Sequence, residues 1–238
     1  MHFHPVFYFI TGWPSMETFR QMVRNYVAHG VRAIQVDMPS ADPYGESAFI
    51  QAGMKRAREL YGADFGIYMK NLREVRSEFP DLEMHLVVYP DVVESIGLER
   101  FASFCREMNF FTVLASRTDE LQKAGIHTTE FVHYQMPEPA VEHALQTQNL
   151  MMLRSNARYE TLPPRDGMRT WKQRIDWLRS RGFRGPIYAV AGISTPEQLR
   201  EIKAAGADGA YIGSVLMKKW TQEDGLWKIL DEFKALTE

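Results

Sequence analysis

Residues 187–218 read IYAVAGISTPEQLREIKAAGADGAYIGSVLMK, a stretch whose pattern changes period in a way that few folds accommodate. Ile187 to Ala191 is a short apolar run suited to a buried parallel strand, and Gly192 ends it. Ser194 or Thr195 can then cap a helix whose first turn carries Pro196 and Glu197. Both suit a helix start, where amides lack partners and the dipole end is positive. That helix runs to about Ala205, Gly206 stops it, and Gly209 to Ile212 makes a second strand. Gly213-Ser214 then leads into another helix.

Strand, glycine loop, helix, strand, glycine loop is one βαβ unit. Its two turns offer the amides around Gly192, Ile193, Ser194, Gly213 and Ser214 at the carboxyl ends of adjacent strands, where an anion such as a phosphate can be held. Many (β/α)8 barrels carry such a pair after the seventh and eighth strands. The competing reading is that these glycines only make tight turns in some other α/β fold.

The chain has 238 residues, which suits one (β/α)8 barrel, read here as a single domain over 1–238. A net charge of −2 offers no basic surface for nucleic acid, so a small molecule or a protein is the expected partner. Cys105 is the single cysteine, which excludes a disulfide within the chain and a cysteine-built zinc site; on a probable helix it reads as packed. No stretch reaches the ~18 apolar residues of a membrane span, and the start carries no basic region before a cleavable apolar core. A cytoplasmic protein without membrane contact is expected.

Working back from the quoted stretch, Val6 to Ile10 reads as the first strand, and Thr11-Gly12-Trp13-Pro14-Ser15 ends it. A helix to His29 follows, with Phe19, Met22, Val23 and Tyr26 on one stripe. Val31 to Val36 is the second strand, and residues 37–47, DMPSADPYGES, form the loop after it, with three carboxylates and two prolines. Helices are expected near Ser47 to Leu60 and Ile67 to Phe79, then a third strand at Met84 to Tyr89, a loop at Pro90 to Glu94 and a helix at Leu98 to Met108. Strands four to six fall at Phe111 to Ala115, Glu130 to Tyr134 and Leu150 to Arg154, with short helices at Thr118 to Lys123 and Pro139 to Thr147. Ala157 to Met168 reads as a loop that moves over the mouth of the barrel. Trp171 to Arg181 is amphipathic, and a last helix spans about Glu223 to Leu236.

Three segments together resemble the tryptophan synthase alpha subunit family. Gly12-Trp13-Pro14-Ser15 with Glu17 is similar to its first loop, Pro39 with Asp42-Pro43 to its PFSDP loop, and Ala189 to Ser214 to its phosphate-binding end. Tyr89 to Phe101 also fits, so the likeness covers nearly the whole chain. It implies a (β/α)8 barrel that cleaves indole-3-glycerol phosphate to indole and glyceraldehyde 3-phosphate, without a cofactor. That retro-aldol reaction needs one group to take a hydroxyl proton and others to protonate the ring carbon and steady the ring nitrogen.

The departures matter more than the matches. The family's glutamate at the end of the second strand falls at Gln35, which does not exchange a proton near neutral pH, and its loop aspartate falls at Glu46. The tyrosine of the sixth strand falls at Leu150, the glycine-rich mobile loop is replaced by RSNARYETLPP, and the fourth strand ends in Ala115-Ser116-Arg117. Together these imply an altered or lost reaction.

Asp37 lies two residues beyond Gln35, on the same face of a continuous strand, and reads either as the working base or as a loop carboxylate capping an amide. Glu46 reads as a second acid or as a dipole partner of the helix that follows. Asp42 is a turn former or an interface charge. Arg154 and Ser155 are candidates for substrate contact, with a surface ion pair as the alternative for Arg154 and for Arg117. His85, His127 and His133 lack metal-ligand spacing, no lysine ends a strand to form a Schiff base, and dinucleotide, Walker and G-x-S-x-G motifs are missing. Two functions follow as expectations: a lyase on a phosphorylated small molecule, in which Asp37 or Glu46 moves the protons, or a non-catalytic homologue that binds such a ligand or activates a partner resembling the tryptophan synthase beta subunit. In the family that partner meets positions matching Asp42, Pro43 and Pro90 to Val93.

Overall fold

The computed structural model describes residues 3–155, 163–220 and 223–235. Eight strands alternate with helices: β1 His4–Ile10, α1 Met16–Ala28, β2 Ala33–Asp37, α2 Ala48–Tyr61, α3 Phe65–Glu78, β3 Glu83–Val87, α4 Pro90–Ile96, α5 Leu98–Met108, β4 Thr112–Leu114, α6 Thr118–Lys123. Then follow β5 Glu130–Val132, α7 Glu138–Thr147, β6 Met151–Arg154, α8 Trp171–Ser180, β7 Ile187–Val190, α9 Pro196–Ala204, β8 Gly209–Ile212, α10 Ser214–Met217 and α11 Glu223–Lys234. The strand order is β4-β3-β2-β1-β8-β7-β6-β5, every assigned pairing is parallel, and the fold class is the (β/α)8 barrel. The chain forms two compact units, one of residues 7–128 and one of residues 1–6 with 129–238.

In the first unit, alternation along β1 decides which side chains reach the chemistry. Phe7 and Phe9 pack on α1: Phe9 meets Tyr26 at 4.9 Å and Phe19 at 6.1 Å between ring centroids. Because a strand turns successive side chains to opposite faces, Tyr8 and Ile10 point the other way. The ladder sets Tyr8 beside Gln35 and Ile10 beside Asp37, and carries Gln35 on to His85 and Asp37 to Val87. Tyr8, Gln35 and Asp37 therefore share one face.

Helix starts follow the expected capping chemistry: Ser15, Ser47 and Asp64 each accept from an amide of the first turn. Residues 90–94, expected as a loop, open α4 instead. Pro90 occupies the first turn, where its missing N–H costs nothing and its fixed φ suits a helix, and Gly97 at φ 84° ends the element after two turns.

In the second unit, Thr170 with Gln173 and Thr195 with Gln198 form capping boxes at α8 and α9. Glycine is required at position 209: a Cβ there meets the His4 carbonyl at 2.4 Å and the Tyr188 ring at 2.8 Å, so only a bare backbone lets β8 enter the ladder. Residues 163–168 carry a 3-10 turn at Arg165–Gly167. The rest of the loop expected to move, residues 157–162, lies outside the described residues, as does Leu236. No helix of the described residues is long and apolar enough to cross a membrane.

Candidate active site

The first unit gathers its ionisable groups at the carboxyl ends of β1 to β3, the end where barrels keep their chemistry. Asp37 is the last residue of β2, fully buried, and its Oδ2 accepts a hydrogen bond of 3.0 Å from the Tyr8 hydroxyl. Its Oδ1 has no hydrogen-bond partner, and neither has Oγ1 of the buried Thr11, the residue that follows Ile10 and whose amide donates to the Asp37 carbonyl at 2.9 Å. Each of these orphaned buried polar atoms, at the ends of neighbouring strands, is an exception that a ligand or a water would complete.

Glu46 is half-buried and accepts from the Tyr89 hydroxyl at 3.2 Å. The loop between them is tied down by Asp91 of α4, which accepts from the Ser40 hydroxyl at 2.7 Å and the Ala41 amide at 2.8 Å. Gln35, buried beside Tyr8, brings an amide to the same face.

Burial drives the electrostatics here. It pushes the Asp37 carboxyl well above the usual carboxylate range, and the charges of Glu46 and Asp91 push the same way, while the Tyr8 hydrogen bond pulls back. Desolvation also raises the Tyr8 phenol, reinforced by Asp37, and the Tyr89 phenol, reinforced by Glu46. Burial thus favours the protonated form of Asp37, while Glu46 sits half open to water. Carboxyl groups in such different surroundings can divide acid and base work between them.

In the second unit, Ala191 and Gly192 both take left-handed φ, 71° and 72°, and turn the chain sharply after β7. For an alanine this costs about 1–3 kcal/mol. The Ser155 hydroxyl holds the turn by donating to the Ala191 carbonyl at 2.8 Å, and a Cβ on Gly192 would lie 3.5 Å from Ser155 Oγ. The cap of α9 is Thr195, and Gln198 Oε1 takes the amides of both Ser194, at 2.8 Å, and Thr195, at 3.2 Å. The Ser194 amide is therefore engaged within the protein. Gly213 caps α10 and Ser214 is its first residue.

Several sequence expectations change. Asp37 is a ladder residue and not a loop carboxylate, because β2 runs one residue further than its apolar run. The capping role beside Glu46 falls to Ser47, whose Oγ accepts from the Ile50 amide. Ser155 spends its donor on the glycine turn. Arg154 ends β6 opposite Val190, and its carbonyl accepts from the guanidinium of Arg174, a buried side chain stacked on Tyr134 at 4.9 Å and Trp171 at 4.5 Å. Arg117 pairs with Glu120 of its own helix at 2.7 Å on the surface, a contact worth little. Among the described residues no three His, Cys, Asp or Glu side chains are grouped to hold a metal ion.

Sequence reasoning missed Tyr8, Thr11, Tyr89 and Arg174. A signal existed for Tyr8 alone: it alternates with two phenylalanines that pack on a helix, so it must face away from that helix.

A family profile described as tryptophan synthase alpha chain matches residues 4–120, the span that holds Tyr8, Asp37, Glu46 and Tyr89. A tryptophan synthase alpha chain from Corynebacterium aurimucosum is 31% identical over 223 residues, covering 86% of this chain and 77% of the relative. Among solved structures, one from Aquifex aeolicus VF5 superposes with a TM-score of 0.82 at 22% identity over 99% of this chain and 93% of that one. Another, from a study of mutual activation in the tryptophan synthase a2b2 complex of Pyrococcus furiosus, superposes with a TM-score of 0.76 at 19% identity, covering 98% of each chain.

Proposed function

Because this chain belongs to the tryptophan synthase alpha chain family, we propose that it is a carbon-carbon lyase on a phosphorylated small molecule, with proton transfer carried by Asp37 and Glu46. The family supports a lyase-like role in tryptophan synthesis. The observation that carries the finer reading is the pair of carboxyl groups at the ends of β1 to β3, one buried on Tyr8 and one half open on Tyr89.

Cleavage of an indolyl glycerol phosphate transfers one proton from a side-chain hydroxyl to the ring carbon. Asp37, whose burial favours the protonated carboxyl, is the acid that supplies the ring carbon; Glu46 is the base that takes the hydroxyl proton as the carbon-carbon bond breaks to give an aldehyde. The bond's electron pair returns to the ring system, and the cycle closes when Glu46 releases its proton and Asp37 regains one. Gln35 contributes hydrogen bonds and no proton. In the second unit, the amides of Gly192, Ile193, Gly213 and Ser214 are the donors assigned to the phosphate, and Arg154 is a supporting cation.

A second reading has an observation of its own. The loop holding Asp42 and Pro43 is moored to α4 by Asp91, and it presents Tyr44 with 73% of its surface exposed. An aromatic residue held out on a moored loop suits a partner surface, and the a2b2 complex of the Pyrococcus furiosus relative points to a beta-like subunit.

The test is indole release from indole-3-glycerol phosphate, with and without a tryptophan synthase beta subunit. Release that falls by ~10²-fold or more in Glu46→Gln supports the lyase. No release in either condition, with binding retained, supports the non-catalytic homologue.

A further inference from the structure

The contact between Tyr8 and Asp37 has a consequence beyond burial. A protonated carboxyl group is asymmetric, with one hydroxyl oxygen and one carbonyl oxygen, and only the carbonyl is a good acceptor. The Tyr8 hydroxyl lies 3.0 Å from Oδ2 and is buried with it, while Oδ1 has no hydrogen-bond partner. Tyr8 reaches Oδ2 because the ladder sets it beside Gln35, one step below Asp37 on the shared face.

We infer that Tyr8 is the positioning residue of this site: by donating to Oδ2 it makes that atom the carbonyl and places the acid proton of Asp37 on Oδ1, the atom left for a ligand. This rests on the acid role assigned to Asp37 above. Tyr8 itself neither gains nor loses a proton in the cycle.

The groups that share this face or act on Asp37 are Tyr8 on β1, Gln35 on its own strand, His85 on β3 opposite Gln35 and paired with Glu83, Glu46 in the loop that follows, Tyr89 ahead of α4 and Asp91 on α4. Of these, Tyr8 is the one whose hydrogen bond favours the ionised form of Asp37; the carboxylates oppose it. Removing the Tyr8 hydroxyl therefore moves the Asp37 titration upward.

The experiment follows Asp37 directly by carbon-13 NMR of aspartate-labelled protein, with Asp37→Asn identifying the resonance. In Tyr8→Phe the midpoint should rise by about half to one pH unit, the equivalent of one hydrogen bond, or about 3- to 10-fold in proton affinity. An unchanged or lowered midpoint overturns the inference. Installing 3-fluorotyrosine at position 8 keeps the ring and strengthens the donor, so the midpoint should fall; a rise there also overturns it. This second variant decides the matter should Tyr8→Phe fold poorly.

Steady-state kinetics on indole-3-glycerol phosphate give a parallel reading. Tyr8→Phe should lower kcat about 10-fold with KM unchanged and carry the alkaline limb of kcat/KM upward with the NMR midpoint; a change in KM alone would make Tyr8 a binding residue and refute the positioning role. If wild-type protein releases no indole, the lyase proposal fails, and the NMR titration still decides the Tyr8 assignment.

Discussion

Replacing Asp37 by asparagine is the sharpest test of the buried carboxyl, because asparagine copies its protonated form. The amide oxygen can accept from Tyr8 as Oδ2 does, and the amide nitrogen donates from the place of Oδ1. Burial raises the Asp37 titration above the ordinary 3.8, so between that value and the folded-state midpoint the native protein holds a proton that the unfolded chain has released. The unfolded state then binds fewer protons, and stability falls as pH rises through this window. One proton sets the slope at about 1.4 kcal/mol per pH unit. Asp37→Asn removes this term, so the variant's stability relative to wild type should grow with pH by up to that amount per unit, then level off above the folded midpoint. Urea unfolding at pH 4, 5.5 and 7 measures the gap. A gap that stays constant with pH, or that widens in favour of wild type, refutes the buried-acid argument. Activity supplies the second arm: loss of the acid should lower cleavage by ~10²–10⁴-fold.

Two further substitutions probe the site from other directions. Gln35→Glu restores a carboxylate on the face shared with Tyr8 and Asp37, and should raise the rate of indole release from indole-3-glycerol phosphate; an unchanged rate would show that proton transfer no longer depends on this position. Ser214→Asp puts a negative charge on the first residue of α10, where a helix tolerates it but an anion does not, so calorimetric affinity for glycerol 3-phosphate should drop by about 10-fold or more with thermal stability kept; equal affinity would remove the phosphate assignment.

The order of strands and helices could be read along the chain because each βα unit carries its own punctuation. Glycines stop the helices, Ser15 and Ser47 sit where caps are needed, and the stripe of Phe19, Met22, Val23 and Tyr26 repeats at helical spacing. Such signals are local, and local chemistry is enough to decide them. The face shared by Gln35 and Asp37 was legible for the same reason, since it follows from alternation within one strand. Short elements blurred: α4 was missed because two turns framed by Pro90 and Gly97 look the same as a loop in sequence.

What the tertiary structure alone decided is which distant side chains become partners. Tyr8 and Asp37 are 29 residues apart, Glu46 and Tyr89 43 apart, and Ser40 and Asp91 51 apart. Their meeting depends on strand register, which no local pattern specifies for parallel strands separated by helices. The direction of the Asp37 shift is decided there too. An aspartate has one ordinary titration in water, and it is burial between β1 and β3, with Tyr8 on one oxygen and nothing on the other, that raises the titration of this one.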